Sequence, residues 1–405
     1  LIKYINSRPS ISELSEKLFQ LGHENQIQNE ILDIEFTPNR GDCLSINGIL
    51  RDLSVFYDID FNPHIYEGEL KPLNIDFYNG YEEACPKISF LKIEINNDIS
   101  PYKDYLNSYF LDLGINKTNF FTDVSNYISY EMGQPTHCYD ATKINGGISF
   151  KKLSHDISFE TLLGNSIDLR DDNAVFMMNE KVINLAGVMG GRNTACSTAT
   201  SSAIIECAYF KPELIIGKTV KYDVISDAAY KFERGVDPQI HERVLRRFIS
   251  IVEDHTKINR VEFVSKEFKD LSKRHLKSDF NIVNKILGTN IKKADYETYL
   301  LKLGFEVEDS KIVIPSHRAD IKNQNDLAEE VARIIGYDNI IPSEIFVEKS
   351  TTITKNPINN LKSFLVDKGF YEVINQPFSE ESSSTSIQVD NPLDTKKKYL
   401  RTNLR

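Results

Sequence analysis

Ser316-His317-Arg318-Ala319-Asp320-Ile321-Lys322-Asn323-Gln324-Asn325-Asp326-Leu327-Ala328-Glu329-Glu330-Val331-Ala332-Arg333-Ile334-Ile335-Gly336-Tyr337-Asp338-Asn339 reads as a short polar lead followed by one amphipathic helix. Leu327, Val331, Ile334 and Ile335 recur at i, i+4, i+7 and i+8, which is a single buried stripe. Asp326 is placed to cap the first turn, and Gly336 to end the helix in a left-handed conformation. Asp326, Glu329 and Glu330 follow helical spacing, so their carboxylates are expected to converge within about one turn. Asp320 is expected to fold back over that turn. Four carboxylates with no thiol or imidazole suit a hard cation such as Mg²⁺. Spacing alone favours a plainer reading, in which the acids cap the helix and complement its dipole.

Outward from this stretch, composition narrows the class. At 405 residues the chain exceeds one ordinary core, so several domains are expected. Its 40% hydrophobic and 26% charged content is that of a globular protein, and no apolar run is long enough to span a bilayer. A net charge of -11 excludes a generally basic nucleic-acid coat but leaves room for RNA bound through local patches. Cys43, Cys85, Cys138, Cys196 and Cys207 form no C-x-x-C pair, which predicts reduced thiols in a cytoplasmic protein. The chain opens on Leu1 and stops at Arg405 inside a patterned segment, as a fragment would.

Near the start, Ser10 and Glu13 form a capping-box pattern, with Leu14, Leu18 and Leu21 on one helix face and Gly22 as a stop. Leu32, Ile34 and Phe36 alternate with acids as a half-buried strand. Thr37-Pro38-Asn39-Arg40-Gly41-Asp42 is turn chemistry, and a helix is expected over 44–57.

The largest unit is expected over 80–255. Within it, Ala174–Met178 and Lys181–Leu185 are β-rich runs joined by Asn179-Glu180, a two-residue hairpin signal. Ala186-Gly187-Val188-Met189-Gly190-Gly191 lets a backbone bend sharply or approach a ligand closely. Glu206 closes an otherwise apolar strand, and a buried carboxylate needs partners. His137 after a proline reads first as a satisfied structural histidine. Adjacent strand residues face opposite ways, so Cys138 is poorly placed to act with His137. Asp237-Pro238 starts a helix that buries Ile240, Val244, Phe248 and Val252.

A smaller module over 271–345 reads helix, helix, strand, strand, helix. After it come a helix over 358–368, a strand over 371–377, a serine-rich loop over 379–386 and the basic run Lys396 to Lys398.

Taken together, these motifs resemble the bacterial phenylalanyl-tRNA synthetase β subunit. Arg318 to Asn339 is similar to its signature R-P-D-I, D-L-I-E-E and Y-G-Y-D-N, with Ala319 in place of proline and Ile335 in place of tyrosine. Gly133 to Asp140 resembles G-Q-P-x-H-x-[FY]-D, Ala186 to Gly191 resembles A-G-x-M-G-G, and Glu206 to Phe210 resembles E-x-A-x-F. Ser226 to Pro238 is similar to [ST]-[DE]-A-[SA]-x-[RK]-F-E-R-G-V-D-P.

The resemblance implies an α+β multidomain fold: an N-terminal α/β module (1–62), a mixed α/β editing module (80–255), a winged-helix-like module with the acidic cluster (271–345), and the start of an inactive class II synthetase-like catalytic domain (356–405). The tRNA-binding module that the family inserts after its first helix is absent, and the family's C-terminal part lies beyond Arg405.

By the same implication Asp320, Asp326, Glu329 and Glu330 are Mg²⁺ ligands. His137 lies by the aminoacyl ester, and Glu206 accepts a hydrogen bond from a mischarged tyrosine's phenol. Ser125, Asn126, Ala186, Gly187, Ser226 and Ala228 line the pocket; Ser125 and Ser226 replace what is often threonine. The implied activity is charging of tRNA(Phe) with ATP and Mg²⁺ at an α subunit, in an α2β2 heterotetramer, with hydrolysis of tyrosyl-tRNA(Phe) by this chain. Two other roles fit the same residues: a non-editing scaffold subunit, and a free-standing hydrolase acting in trans.

Overall fold

The computed structural model describes residues 1–308, 311–342, 344, 356–394 and 396–403. It divides into two units, Leu1–Pro342 and Ser343–Arg405. The architecture is mixed α/β.

The centre of the first unit is a sheet buried on both faces. Its strand order is Lys71–Pro72, Ile258–Glu267, Lys87–Ile95, Ser202–Tyr209 and Thr136–Asp140. Along Lys87–Ile95 the side chains alternate: Ile88 and Phe90 enter one core, Leu91, Ile93 and Ile95 another. The first core is closed by a second sheet, in the order Met189–Gly190, Lys181–Leu185, Ala174–Met178, Ile148–Lys152 and Phe77–Asn79. Its aromatic centre includes Phe150 against Phe176 at 5.2 Å and Phe77 edge-on to Phe90 at 5.1 Å. The other core is closed by the helices Asp104–Asp112, Phe120–Met132 and His241–Glu253. Cys138 faces these helices while Tyr139 faces the second sheet, as strand alternation requires.

A third core joins the two ends of the unit. Ile5, Leu14, Leu18, Leu50 and Leu53 pack with Val283, Leu300, Phe305, Leu327, Val331 and Ile334 in one buried cluster. The segments read from sequence as an N-terminal module and a winged-helix-like module thus share one interior. Their helices are Ile11–Gln20, Ile46–Leu53, Phe280–Leu287, Lys293–Lys302 and Gln324–Ile335. The small sheet beside them runs Arg274–Lys277, Lys311–Ile314, Glu306–Glu308. Its Arg274–Lys277 strand has no apolar alternation and was not legible from sequence.

Local expectations meet mixed outcomes. The capping box at Ser10 and Glu13 forms, and Leu14 and Leu18 are buried. Asn179 and Glu180 both take positive φ, as a two-residue hairpin needs. Asn29 and Glu30 repeat that dipeptide and conformation, pairing Glu24–Gln28, a segment given no element from sequence, with Ile31–Glu35, the strand expected from Leu32 and Ile34. The second helix is short, Ile46–Leu53, because a 3-10 turn at Gly41–Cys43 precedes it. Glu206 lies inside the Ser202–Tyr209 strand rather than at its end. The helix expected from Asp237-Pro238 begins at His241.

In the second unit the helix Pro357–Asp367 is present, but residues 371–377 form no strand. The paired strands there are Phe378–Ser379 and Tyr399–Leu400. The expected module boundary at Ile345, and the last two residues of the catalytic-like segment expected over 356–405, lie outside the described residues.

Candidate active site

Thr136–Asp140 is hydrogen-bonded along the edge of Ser202–Tyr209, and the register places His137 directly opposite Glu206. Strand alternation then puts Tyr139 on the same face, so three polar side chains point between the two sheets. From the facing sheet, Lys181–Leu185 contributes Asn184. Tyr139 Oη donates to Glu206 Oε2 at 2.6 Å, and Asn184 Nδ2 donates to Tyr139 Oη at 3.1 Å and to Glu206 Oε2 at 3.3 Å. Tyr139 and Asn184 are functional candidates that the sequence reading passed over. Their signals were present: Tyr139 shares the face of His137, and Asn184 interrupts an apolar strand.

The electrostatics follow from burial. Glu206 is 4% exposed, and burial pushes its carboxyl up to about 7 against the lowering by its two donors. Burial also lowers the His137 imidazole to about 4, so it is neutral at pH 7. Its Nε2 is sealed from solvent without a hydrogen-bond partner. The ring packs edge-on to Tyr139 at 4.5 Å and against Gly190, where an added Cβ would lie 2.2 Å from His137 Cε1. The glycine-rich run therefore allows a close approach, and here the approaching group is the chain's own histidine. At Gly187, with φ +69°, an added Cβ would lie 2.7 Å from Ile215 Cδ1.

On the helix-facing side of the same strand, a cavity of about 870 Å³ runs between the N-terminal segment and the helices of the central unit. Ser125, Asn126, Ala228, Thr136 and Lys231 line it; His137, Glu206, Ala186, Gly187 and Ser226 do not. The predicted pocket residues thus divide into two sets. Ser125 Oγ lies 2.7 Å from both Thr136 O and Thr136 Oγ1, which ties the cavity wall to the strand of His137. Ser226 Oγ donates to Val188 O at 2.6 Å and caps the helix Asp227–Phe232 by accepting from Ala229 N. Both serines are therefore structural anchors through the hydroxyl they share with threonine. Lys231 was not predicted; burial lowers its ammonium to about 8.

The four acids expected to bind a cation do not converge. Glu330 lies on the buried stripe with Leu327, Val331 and Ile334, whereas Glu329 faces solvent. Asp326 Oδ2 accepts from the backbone of Lys322 and Asn323, completing a capping box in which Asn323 is the N-cap. Asp320 is held by Arg318, whose Nε and Nη2 donate at 2.9 and 2.7 Å. Glu330 Oε2 accepts from Arg318 and from Arg333, both at 2.7 Å.

Arg40 makes the same fork to Asp42, at 2.9 and 3.1 Å, and reaches Asp52 at 3.0 Å. Arg333 also reaches Asp52, which His23 contacts at 2.7 Å. Burial alone would raise the Glu330 carboxyl, but the arginines outweigh it and hold the group at about 2. Asp320, Asp326 and Glu330 are thus engaged by guanidinium or backbone N–H groups and Glu329 faces solvent, and among the described residues the four acids do not come together as a group of metal ligands. Among the described residues, the one group of three ligand types close enough for a metal is His23, Cys43 and Asp52. There Arg40 and Arg333 already satisfy the carboxylate.

Residues 84–257 match the B3/4 domain, and residues 276–337 match the tRNA synthetase B5 domain. The phenylalanine–tRNA ligase beta subunit of Psychrobacter arcticus is 32% identical over 375 residues, 87% of this chain and 46% of that protein. This chain is a relative of the phenylalanine–tRNA ligase β subunits. Those of Ehrlichia canis (30% identical, covering 100% of this chain and 53% of that protein) and Protochlamydia amoebophila (32%, 91% and 48%) are similar as well.

The chain spans about half the length of these curated relatives. An N-terminal fragment of the phenylalanyl-tRNA synthetase β subunit from Pyrococcus horikoshii shares 13% identity, with a TM-score of 0.42 over 80% of this chain and 94% of that one; this likeness positions no residue. The His137–Glu206 cluster lies within the B3/4 match and the helix Gln324–Ile335 within the B5 match. Among the described residues, no helix is long and apolar enough to cross a membrane.

Proposed function

We propose that this chain is part of a phenylalanine–tRNA ligase β subunit whose B3/4 domain hydrolyses tyrosyl-tRNA(Phe). Aminoacylation takes place on a partner α subunit with ATP and Mg²⁺, in a cytoplasmic α2β2 assembly. The observation that carries the reading is Glu206: a buried carboxylate directly opposite His137, hydrogen-bonded by Tyr139 and Asn184 through one oxygen. Phenylalanine and tyrosine differ by one hydroxyl. A site that hydrogen-bonds this hydroxyl disfavours phenylalanine, which would leave the carboxylate unpaired.

His137 is neutral at pH 7 and orients the ester through an uncharged ring nitrogen. In the hydrolysis, water oxygen adds to the ester carbonyl, the bond to the ribose oxygen breaks, and that oxygen leaves with a proton. The test is hydrolysis of tyrosyl-tRNA(Phe) by the full-length protein co-expressed with its α partner. Rapid hydrolysis that is lost in Glu206→Ala and His137→Ala is expected. Absent hydrolysis with phenylalanylation intact would leave a scaffold subunit instead.

A further inference from the structure

The two oxygens of Glu206 are in different situations. Oε2 takes both hydrogen bonds, from Tyr139 and Asn184, while Oε1 accepts none from the described residues. Oε1 is also absent from the atoms sealed away without a partner, unlike the neighbouring His137 Nε2. One oxygen is therefore anchored and the other is open. A carboxylate has few ways to present a single free oxygen in a fixed direction, and immobilising its other oxygen is one of them.

The anchor is itself braced. Asn184 bonds both Tyr139 and Glu206, and the Tyr139 ring stands edge-on to His137 at 4.5 Å. The Tyr139 side chain is fully buried, so its hydroxyl has little freedom to turn elsewhere.

We propose that Tyr139 is a positioning residue: its hydroxyl fixes Glu206 so that Oε1 is aimed at the hydroxyl of a tyrosyl ester and sets the preference for tyrosyl over phenylalanyl groups. This rests on the editing reading above. Two physical effects combine. The short bond from Tyr139 holds the carboxylate orientation, and a donor to the ionised form favours ionisation against burial. The other titratable groups around Glu206 are His137, Cys85, Cys138 and Cys207. Burial holds these thiols neutral and the imidazole uncharged at pH 7, so none of them substitutes for Tyr139.

The experiment compares wild type, Tyr139→Phe and Tyr139→Phe/Glu206→Gln in the full-length protein with its α partner. Hydrolysis of tyrosyl-tRNA(Phe) and phenylalanyl-tRNA(Phe) is measured from pH 6 to 9. Binding of non-hydrolysable tyrosyl- and phenylalanyl-adenosine amides is measured alongside. The tyrosyl-to-phenylalanyl ratio is expected to fall about tenfold in Tyr139→Phe, as for loss of one hydrogen bond to a charged group. Phenylalanyl hydrolysis should stay within about twofold, and the midpoint of the pH dependence of the ratio should move upward. General damage to the fold would lower both substrates together.

In the double variant the remaining preference should vanish. A ratio unchanged or raised in Tyr139→Phe, with active wild type, overturns the positioning role and leaves editing standing. Wild type that neither hydrolyses nor discriminates in binding overturns both. If Tyr139→Phe does not fold, Asn184→Ala, which loosens the same anchor, should lower the ratio in the same direction; an unchanged ratio there overturns the proposal.

Discussion

Arg333 Nη1 lies 2.9 Å from Asp52 Oδ2 across 281 residues of sequence, and both side chains are buried. The contact ties the helix Gln324–Ile335 to the helix Ile46–Leu53. Breaking a buried pair from one side leaves an uncompensated charge, which costs about 3–5 kcal/mol. Arg333→Met is therefore expected to lower the unfolding free energy by about that amount. Denaturant titration of the chain checks it; a loss below about 1 kcal/mol would show that the network is relaxed by water or by Arg40.

Guanidinium groups sit where a cation would neutralise Asp320 and Glu330. Addition of Mg²⁺ or removal of divalent ions by a chelator is thus expected to leave the melting temperature of this chain unchanged. Glu329→Gln, at an exposed position, should also be near neutral, whereas Glu330→Gln should destabilise clearly. Asp326→Ala should cost about 1 kcal/mol through loss of its cap. A Mg²⁺-dependent rise in melting temperature that vanishes in Glu329→Gln would refute this account.

Gly190 is required by the ring it faces. An alanine Cβ there would lie 2.2 Å from His137 Cε1 and 2.9 Å from Leu162 Cδ1. Gly190→Ala should displace His137, cost about 1–3 kcal/mol through overpacking and abolish the proposed hydrolysis. Thermal unfolding and single-turnover hydrolysis measure the two effects. Full activity in a stable Gly190→Ala protein would show that the His137 position is immaterial.

Acidification should weaken the fold before most carboxylates titrate. Burial lowers His137 to about 4, and His241 and His317 to about 3, from an ordinary 6.5. A depressed folded value means stability that is present above pH 6.5 and is lost as pH falls towards the folded values. Glu206, raised to about 7 from 4.5, acts in the opposite sense: its stability is present below pH 4.5 and is lost as pH rises to 7. Three groups oppose one, so the unfolding free energy should drop by several kcal/mol, at ~1.4 kcal/mol per pH unit per proton, between pH 6.5 and 4.5. His241→Asn should flatten that slope by about one proton; an unaltered slope would mean that His241 is not the group titrating.

Much of the local structure was determined by the sequence alone. The stripe from Leu327 to Ile334, the capping box at Ser10 and the turn at Asn179-Glu180 each depend on neighbours a few residues apart, and each forms as read. The hairpin at Asn29-Glu30 obeys the same short-range rule and was equally legible in the sequence. Arg274–Lys277 is different: its strand character comes from pairing with Lys311–Ile314, not from its own pattern.

The pairing of charged groups depends instead on how distant segments pack. Helical spacing suggested that Asp326, Glu329 and Glu330 converge, and the family resemblance joined Asp320 to them as a ligand set. The sequence could not show that Arg40 and Asp52 would arrive from the other end of the chain's first unit. Nor could it show that Glu206 would find Tyr139 on one oxygen and leave the other open. Helices and turns are set by short-range backbone geometry. The partner of a buried charge is set by which distant surfaces exclude water together, and that is a property of the packed chain.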